Sequence, residues 1–470
     1  MYSMVKKKKK RELDNEYIKL HDQIEKHSNK IWCPCNDCRL EKINTDSWFN
    51  FSKYENKEVQ YNVLKFFEEK KKKTKKKDDK EEKINYKCLK INIKFNEEQK
   101  IIIHRWFNAY ILMYNATLKL IKQRRANGEQ TILDFKILRT YHLKDIKNEI
   151  IIKSQLPIDK DTKIKTHILD TAIQLACANY KSALTNLRNG NIRHFRIRYW
   201  KIIKDFNILG IEPSYFNHNT LCPKIFGNIE CFYNNEKFDL GLIGSVYKSE
   251  CKILYERTIN KYTLLVPDRI DNKNENKLFH QKKEFISLDP GIRTFMTGLS
   301  ENEFIKIGDN SQEKIKKILK KIDKLESIKI KNKRIRKKLY NKRYKLNNLI
   351  ADMHWKSINF LTKNYNTILI GDLSVKGISN KKTSNINKMT KRIGYALSFY
   401  KYKQRLQYKC LINNCNYLEV NEKYTSKMCS NCGNYKEDLG SNKIYNCSKC
   451  KRNIDRDVNG CRGICLKMVL

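Results

Sequence analysis

Residues 422–457 read EKYTSKMCSNCGNYKEDLGSNKIYNCSKCKRNIDRD, and the fold of the chain turns on them. Cys429 and Cys432 form one C-x2-C knuckle and Cys447 and Cys450 a second, with 14 residues between the pairs. That spacing suits the two hairpins of a zinc ribbon. Four thiolates close a tetrahedral Zn²⁺ site, which supplies folding free energy to a segment too short to bury a core of its own. Four unrelated thiols would not fall into two such pairs. Two carboxylates, Glu422 and Asp457, bracket the ribbon.

The chain around it has 470 residues, enough for several domains, and 40% of them are hydrophobic, enough for real cores. Lys and Arg number 98 against 51 Asp and Glu, a formal net charge of +47. A field of that sign attracts a polyanion, and nucleic acid is the usual one, because each neutralised phosphate releases a counterion. An AT-rich genome also enriches Lys, Asn and Ile, so charge alone is not proof. Sixteen cysteines with no signal peptide read as reduced thiols with clustered metal sites rather than a disulfide scaffold. No apolar run approaches the ~18 residues of a membrane span, so the expectation is a soluble intracellular protein with no membrane partner.

Going outward toward the start, Lys6 to Arg11 is a run of like charges that suits either a nuclear import signal or a solvated tail. Cys33, Cys35 and Cys38 are close enough to share a metal if His27 or a distant residue gives a fourth ligand, against the plainer reading of free thiols. Residues 68–83, EEKKKKTKKKDDKEEK, offer no apolar face and read as a linker. From Ile84 the pattern alternates as in a half-buried strand, and a helix follows from Asn96, a plausible N-cap, with Trp106 on its core face. A second helical region is expected over residues 166–187, which suggests a small helical subdomain.

Residues 191–201, NIRHFRIRYWK, interleave cations with aromatics: Arg193, Arg196 and Arg198 suit phosphates, and Tyr199 and Trp200 suit base stacking. An amphipathic strand would look similar. Short strand-like runs fill residues 209–267, as in a β-rich module. Residues 311–348 are intensely basic with apolar residues at helical spacing, so a long helix or helical hairpin is expected. Lys316, Lys317, Lys320, Lys321, Arg334 and Arg336 would line a phosphate track on it, or a merely solvated face. A further helix is expected over residues 349–361.

Two strands deliver acids. FISLDPG carries Asp289 to the end of an apolar strand, and TILIGDL carries Asp372 to the end of another. A carboxylate there is costly to desolvate unless something positive faces it, and a metal ion would serve. Asp457, in DRDVNG, opens the last helix. Acids from strand, strand and helix can converge on two Mg²⁺ ions that align water and stabilise both oxygens of a phosphodiester exchange. Each acid alone is weak, since an Asp before a turn is commonly a cap.

The succession ISLDPG, ILIGDLSV, YTSKMCSNCG, a second C-x2-C and DRDVNG resembles the TnpB nucleases of transposons and, more closely, their Fanzor relatives in eukaryotes and large viruses. The resemblance covers roughly residues 84–470. It implies an α/β RNase H-like (RuvC) nuclease domain with an inserted zinc ribbon, a β-rich wedge module and a helical recognition subdomain. It further implies DNA cutting guided by an RNA from the transposon end, with target double-stranded DNA as substrate, structural Zn²⁺ and catalytic Mg²⁺. The divisions expected are 1–83 (basic extension with Cys cluster and linker), 84–96 and 191–279 (split wedge), 97–190 (recognition), 280–424 and 453–470 (nuclease), and 425–452 (ribbon).

By the same resemblance Asp289 and Asp457 are catalytic metal ligands. The middle acid departs from the pattern: TnpB proteins usually read Glu-Asp-Leu where this chain has Gly371-Asp372-Leu373. Fanzor proteins tend to carry a replacement just before the Tyr-Thr-Ser of the ribbon, and Glu422 stands there. Glu419, three residues away, would face the opposite side of a strand. Glu422 is therefore preferred to Asp372 and Glu419. An accessory protein that has lost cleavage remains the alternative, as does a transposase proper, although none of the nine histidines forms the His-x-His pair of single-strand transposases. A host nucleus or viral factory is the expected location if the source is a eukaryote or a large virus.

Overall fold

The computed structural model describes residues 17, 20–22, 24, 40–44, 52–56, 86–153, 164–201, 206–247, 249–269, 282–300, 303–328, 332–373, 386–440 and 442–468. The basic run at Lys6, the Cys33, Cys35, Cys38 and His27 group and the charged linker 68–83 lie outside them. The chain divides into two compact units, Glu82–Asp271 as one and Met1–Glu81 with Asn272–Leu470 as the other.

In the unit Glu82–Asp271, the alternation after Ile84 becomes the strand Tyr86–Lys94, with Ile91 and Ile93 buried and Lys90 and Lys94 exposed. It pairs antiparallel with Lys261–Arg269 on one side and Glu230–Tyr233 on the other. The result is a six-stranded sheet from Phe206–Ile211 through Cys251–Glu256 to Glu236–Lys237. The helix Glu97–Ala126 starts where Asn96 and Gln99 cap each other: Asn96 Oδ1 accepts from the Gln99 N–H at 2.8 Å, and Gln99 Oε1 accepts from the Asn96 N–H at 3.0 Å. Trp106 is fully buried, edge-on to Phe226. One apolar core runs through this sheet and both long helices, Glu97–Ala126 and Thr166–Arg188. The expected cuts at 96/97 and 190/191 therefore do not separate cores, because the chain leaves the middle of the sheet for the helices and then returns to complete it.

The other unit holds a seven-stranded sheet in the order Leu40–Asn44, Ser52–Asn56, Glu303–Ile307, Met296–Leu299, Lys283–Pro290, Tyr365–Gly371, Asn416–Val420. Lys283–Pro290, Met296–Leu299 and Glu303–Ile307 form an antiparallel meander, whereas Tyr365–Gly371 and Asn416–Val420 run parallel to Lys283–Pro290. Parallel neighbours need long crossovers. The helices Ser311–Glu326 and Lys333–Asn364 lie in the first, and Lys388–Leu397 and Phe399–Ile412 in the second.

Two features differ from expectation. The N-terminal segment contributes Ser52–Asn56, which pairs with Glu303–Ile307, so residues 1–83 are not solely an extension. Its sequence, SKYEN, shows no apolar alternation, as suits a strand far from the sheet centre. The helix expected over 349–361 is continuous with the basic segment as Lys333–Asn364, because no Gly or Pro interrupts those residues. The helix Arg456–Met468 lies against the sheet, with Cys461, Ile464 and Cys465 packed among Phe285, Leu299 and Leu369. Among the described residues no helix is long and apolar enough to cross a membrane.

Candidate functional site

Cys429, Cys432, Cys447 and Cys450 form, among the described residues, the one set of potential metal ligands whose donor atoms all lie within 4.8 Å of one another. Cys429 Sγ is 3.7 Å from Cys450 Sγ, and Cys432 Sγ is 3.4 Å from Cys447 Sγ. A tetrahedral zinc with ~2.3 Å bonds would space its sulfurs about 3.8 Å apart, so the four thiols fit that ion. The first knuckle turns on bonds from the Cys429 N–H to Asn434 O and from the Gly433 N–H to Cys429 O, each 2.9 Å. The second arises from the hairpin Ile444–Asn446 with Asn453–Asp455. Tyr445, fully buried, donates to Asn434 O at 2.8 Å and joins the two.

The sheet brings the three acids of the family pattern to one corner. Asp289 lies at the end of the interior strand Lys283–Pro290, and its carboxylate packs on the helix Arg456–Met468 at Gly460, where an added Cβ would lie 2.4 Å from Asp289 Oδ2. Glu422 follows the parallel strand Asn416–Val420. Its carboxylate lies over Gly371, where a Cβ would stand 2.8 Å from Glu422 Oε2 and 3.2 Å from both Ile464 and Pro290. Asp457 occupies the first turn of the C-terminal helix.

Burial and repulsion by neighbouring carboxylates hold these groups above the ordinary carboxylate range. Asp289 is raised well above it, first by burial and then by Glu422 and Asp457. Burial followed by Asp372 lifts Glu422 to about 7, and burial followed by Asp455 raises Asp457. Glu422 Oε2 is buried without a hydrogen-bond partner. An all-oxygen donor set with such an atom fits a hard divalent cation, which would reverse those shifts. The three carboxylates do not form, among the described residues, a set whose donor atoms all lie within 4.8 Å of one another.

The competing acids have other partners. Asp372 accepts a bond from the Glu422 N–H at 3.0 Å, and its own N–H donates to Val420 O at 2.9 Å, so it fixes the backbone that carries Glu422. Glu419 is exposed and paired with Lys403. Sequence reasoning did not single out Asp455. It caps the last helix by accepting from the Asp457 N–H at 2.9 Å, and it pairs with Lys306 at 2.8 Å. The Asp-x-Asp spacing of DRDVNG was its one signal.

Among the nucleic-acid candidates, Arg193, Arg196, Arg198 and Tyr199 are exposed on a stretch outside any helix or strand, with Phe195 and Ile197 partly buried against the core. Lys122 Nζ sits 4.0 Å from the centre of the Tyr199 ring. Trp200 is partly buried against the core. Its ring stacks on Tyr114 at 4.3 Å and 18°, and Asn115 holds its backbone N–H and C=O at 2.8 and 2.9 Å. Lys317, Lys320 and Lys321 are exposed on Ser311–Glu326 and Lys316 is half-buried. Arg334 and Arg336 are exposed at the start of Lys333–Asn364.

Two family models match the chain: one described as "Probable transposase" over residues 270–382, and one as "Cas12f1-like, TNB domain" over residues 399–464. TnpB-like protein L770 of Acanthamoeba polyphaga mimivirus is 33% identical over 465 residues, covering 92% of this chain and 85% of that one. InsQ of Escherichia coli K12, whose name provisionally ascribes RNA-guided DNA endonuclease activity to it, is 27% identical over 199 residues, 39% of this chain and 49% of its own. A solved Cas12f1–sgRNA–target DNA complex matches 81% of this chain and 98% of its own at 16% identity, with a TM-score of 0.28, too low to carry an argument. A match at 33% identity across 92% of this chain and 85% of the viral one makes the chain a member of the TnpB-like family.

Proposed function

We propose that this chain is an RNA-guided DNA endonuclease of a transposable element, with Asp289, Glu422 and Asp457 as the ligands of two Mg²⁺ ions. One observation carries the reading. Partly buried carboxylates from an interior strand, from the loop after a parallel strand and from the last helix lie close enough for Glu422 and Asp457 both to act on Asp289, and Glu422 Oε2, itself buried, has no partner. A sheet of three antiparallel strands continued by two parallel ones supports an RNase H-like (RuvC) nuclease domain around that corner. Membership of the TnpB-like family and the activity ascribed to InsQ support the RNA guide and the DNA substrate.

Bound divalent ions would stabilise the charge that develops on the attacking and leaving oxygens of the phosphodiester. The residues of the chain supply the frame. Gly460 leaves room for the Asp289 carboxylate, Asp372 fixes the backbone of Glu422, and Asp455 caps the turn that carries Asp457. A Glu422 carboxylate over Gly371 favours Glu422 as the middle acid, so the position that reads Glu in TnpB proteins need not imply a silent nuclease. Arg193, Arg196, Arg198, Tyr199 and the cations of residues 316–336 are read as contacts to guide RNA and heteroduplex. Zinc at the four cysteines is structural.

The test is to purify the full chain with its copurifying RNA, sequence that RNA, and offer DNA matching it. Wild type should cut in Mg²⁺, and Asp289→Asn, Glu422→Gln and Asp457→Asn should each lose at least about a thousandfold in rate, in the range that removing a group essential to chemistry costs. Absence of a defined RNA, or cutting that persists in these variants, overturns the reading.

A further inference from the structure

Asn459 belongs to none of the metal sets described above, yet its side chain is completely buried. Oδ1 accepts from the N–H of Ser430 at 2.8 Å, inside the first cysteine knuckle. Nδ2 donates to Met428 O at 2.7 Å, with a longer contact to Thr425 O at 3.5 Å. All three partners lie on the segment that leads from Glu422 into the ribbon. Thr425 in turn reaches back, its N–H and its hydroxyl donating to Glu422 O at 3.2 and 2.8 Å.

At its other end, Asn459 stands two residues after Asp457 and immediately before Gly460, on which the Asp289 carboxylate packs. A second observation marks the same seam. Gly463, one helical turn beyond Asn459 and on the same face, meets Thr425 so closely that a Cβ would lie 2.8 Å from Thr425 Cβ and 3.0 Å from its Cα and O. Segment and helix are thus pressed together at Thr425 and tied at Asn459.

We infer that Asn459 is a positioning residue of the proposed nuclease, setting the distance between the loop that bears Glu422 and the helix that bears Asp457 and receives Asp289. The inference rests on the nuclease reading. Its role is separable from holding the helix on the sheet, because Val458, Cys461, Ile464 and Cys465 already do that through apolar packing with Phe285, Leu299 and Leu369. Losing the carboxamide lets the 425–430 segment slide over a helix that stays docked, and the two halves of the acid site drift apart. Supports of metal ligands typically contribute ten- to a hundredfold in affinity or activity when removed.

The experiment uses the full chain with its RNA, and it measures Mn²⁺ binding by EPR titration, zinc content, thermal unfolding and DNA cutting. Asn459→Ala and, independently, Gly463→Ala should retain zinc and a cooperative transition while binding Mn²⁺ at least about tenfold more weakly and cutting about tenfold or more slowly, with the rate partly restored by raised Mn²⁺. Asp289→Asn is the control for the underlying reading: if it leaves Mn²⁺ binding at the wild-type level, the nuclease site itself is wrong. If Asp289→Asn abolishes binding while Asn459→Ala and Gly463→Ala match wild type, the positioning role alone is overturned. Loss of zinc in step with loss of Mn²⁺ in both seam variants also overturns it, since the seam would then serve the folding of the ribbon.

Discussion

Gly371 and Gly460 matter for the side chains they lack. At Gly371 a methyl group would press on Glu422 Oε2, Ile464 and Pro290 together, and two of those three belong to packed walls that do not yield. Gly371→Ala should therefore displace the Glu422 carboxylate, costing about a hundredfold in DNA cutting, the penalty of a misplacement near 1 Å. Zinc content should stay unchanged, and wild-type cutting rates in that variant would remove Glu422 from the site. Protonation gives a second prediction at the same scale. Glu422 has its folded pKa raised to about 7 against an ordinary 4.5, so in metal-free protein its contribution to stability is complete below the ordinary value and is lost as pH rises through about 7. Metal-free wild type should melt at a lower temperature near pH 8 than near pH 6, with the difference smaller in Glu422→Gln and diminished by Mg²⁺. Equal pH dependence in the two proteins counts against a buried, titrating Glu422. The acids themselves were legible in the sequence only in part. Period-two alternation separates Glu419 from Glu422 but does not say which of the two faces the helix, because Glu422 lies past the end of its strand. The family resemblance made that choice. Asn459 and Asp455 were not legible as supports, because the groups they bond belong to a segment folded back from about 30 positions earlier and to another strand.

Among the elements, the ribbon was the most legible, since two C-x2-C pairs fix both hairpins and leave little to tertiary context. Removing one ligand leaves three thiolates to hold the metal. Cys429→Ser should accordingly lose its zinc and the cooperative folding of residues 425–452, read as metal content and as amide exchange. Cys415→Ser, whose thiol bonds Thr362 O away from the cluster, should keep both. Retention of stoichiometric zinc by Cys429→Ser would remove that thiol from the ligand set. The helix Glu97–Ala126 was legible at its start for an equally local reason, the reciprocal bonds of Asn96 and Gln99. Asn96→Ala should lower the stability of the Glu82–Asp271 unit by about 1 kcal/mol in denaturant titration. Elements completed by distant partners were not legible. Ser52–Asn56 becomes a strand by pairing with Glu303–Ile307, some 250 positions away, and nothing in its own five residues announces that pairing. The interleaved arginines and aromatics at 191–201 lie outside any helix or strand, and the Trp200 ring stacks on Tyr114.

For the molecule as a whole, a net charge of +47 means that binding to any nucleic acid is driven by counterion release and weakens with salt. The charge is not evenly usable. Lys403 and Lys306 are committed to Glu419 and Asp455, whereas Lys317, Lys320 and Lys321 are exposed and, among the described residues, make no ion pair. If those three lysines neutralise phosphates of single-stranded RNA, replacing them with Gln should lower the slope of log affinity against log salt by about 2, at roughly 0.7 for each phosphate left without its cation. The same substitution at Arg193, Arg196 and Arg198 should do likewise for the other unit. Binding measured between about 50 and 200 mM salt decides it, and the slope is the useful quantity because it reports how many phosphates are neutralised whatever the absolute affinity. A uniform loss of affinity with an unchanged slope would mean that these side chains act through the general field of the protein, and the phosphate track would have to be sought on other cations. A slope that falls in one set and not in the other would assign the RNA to one unit.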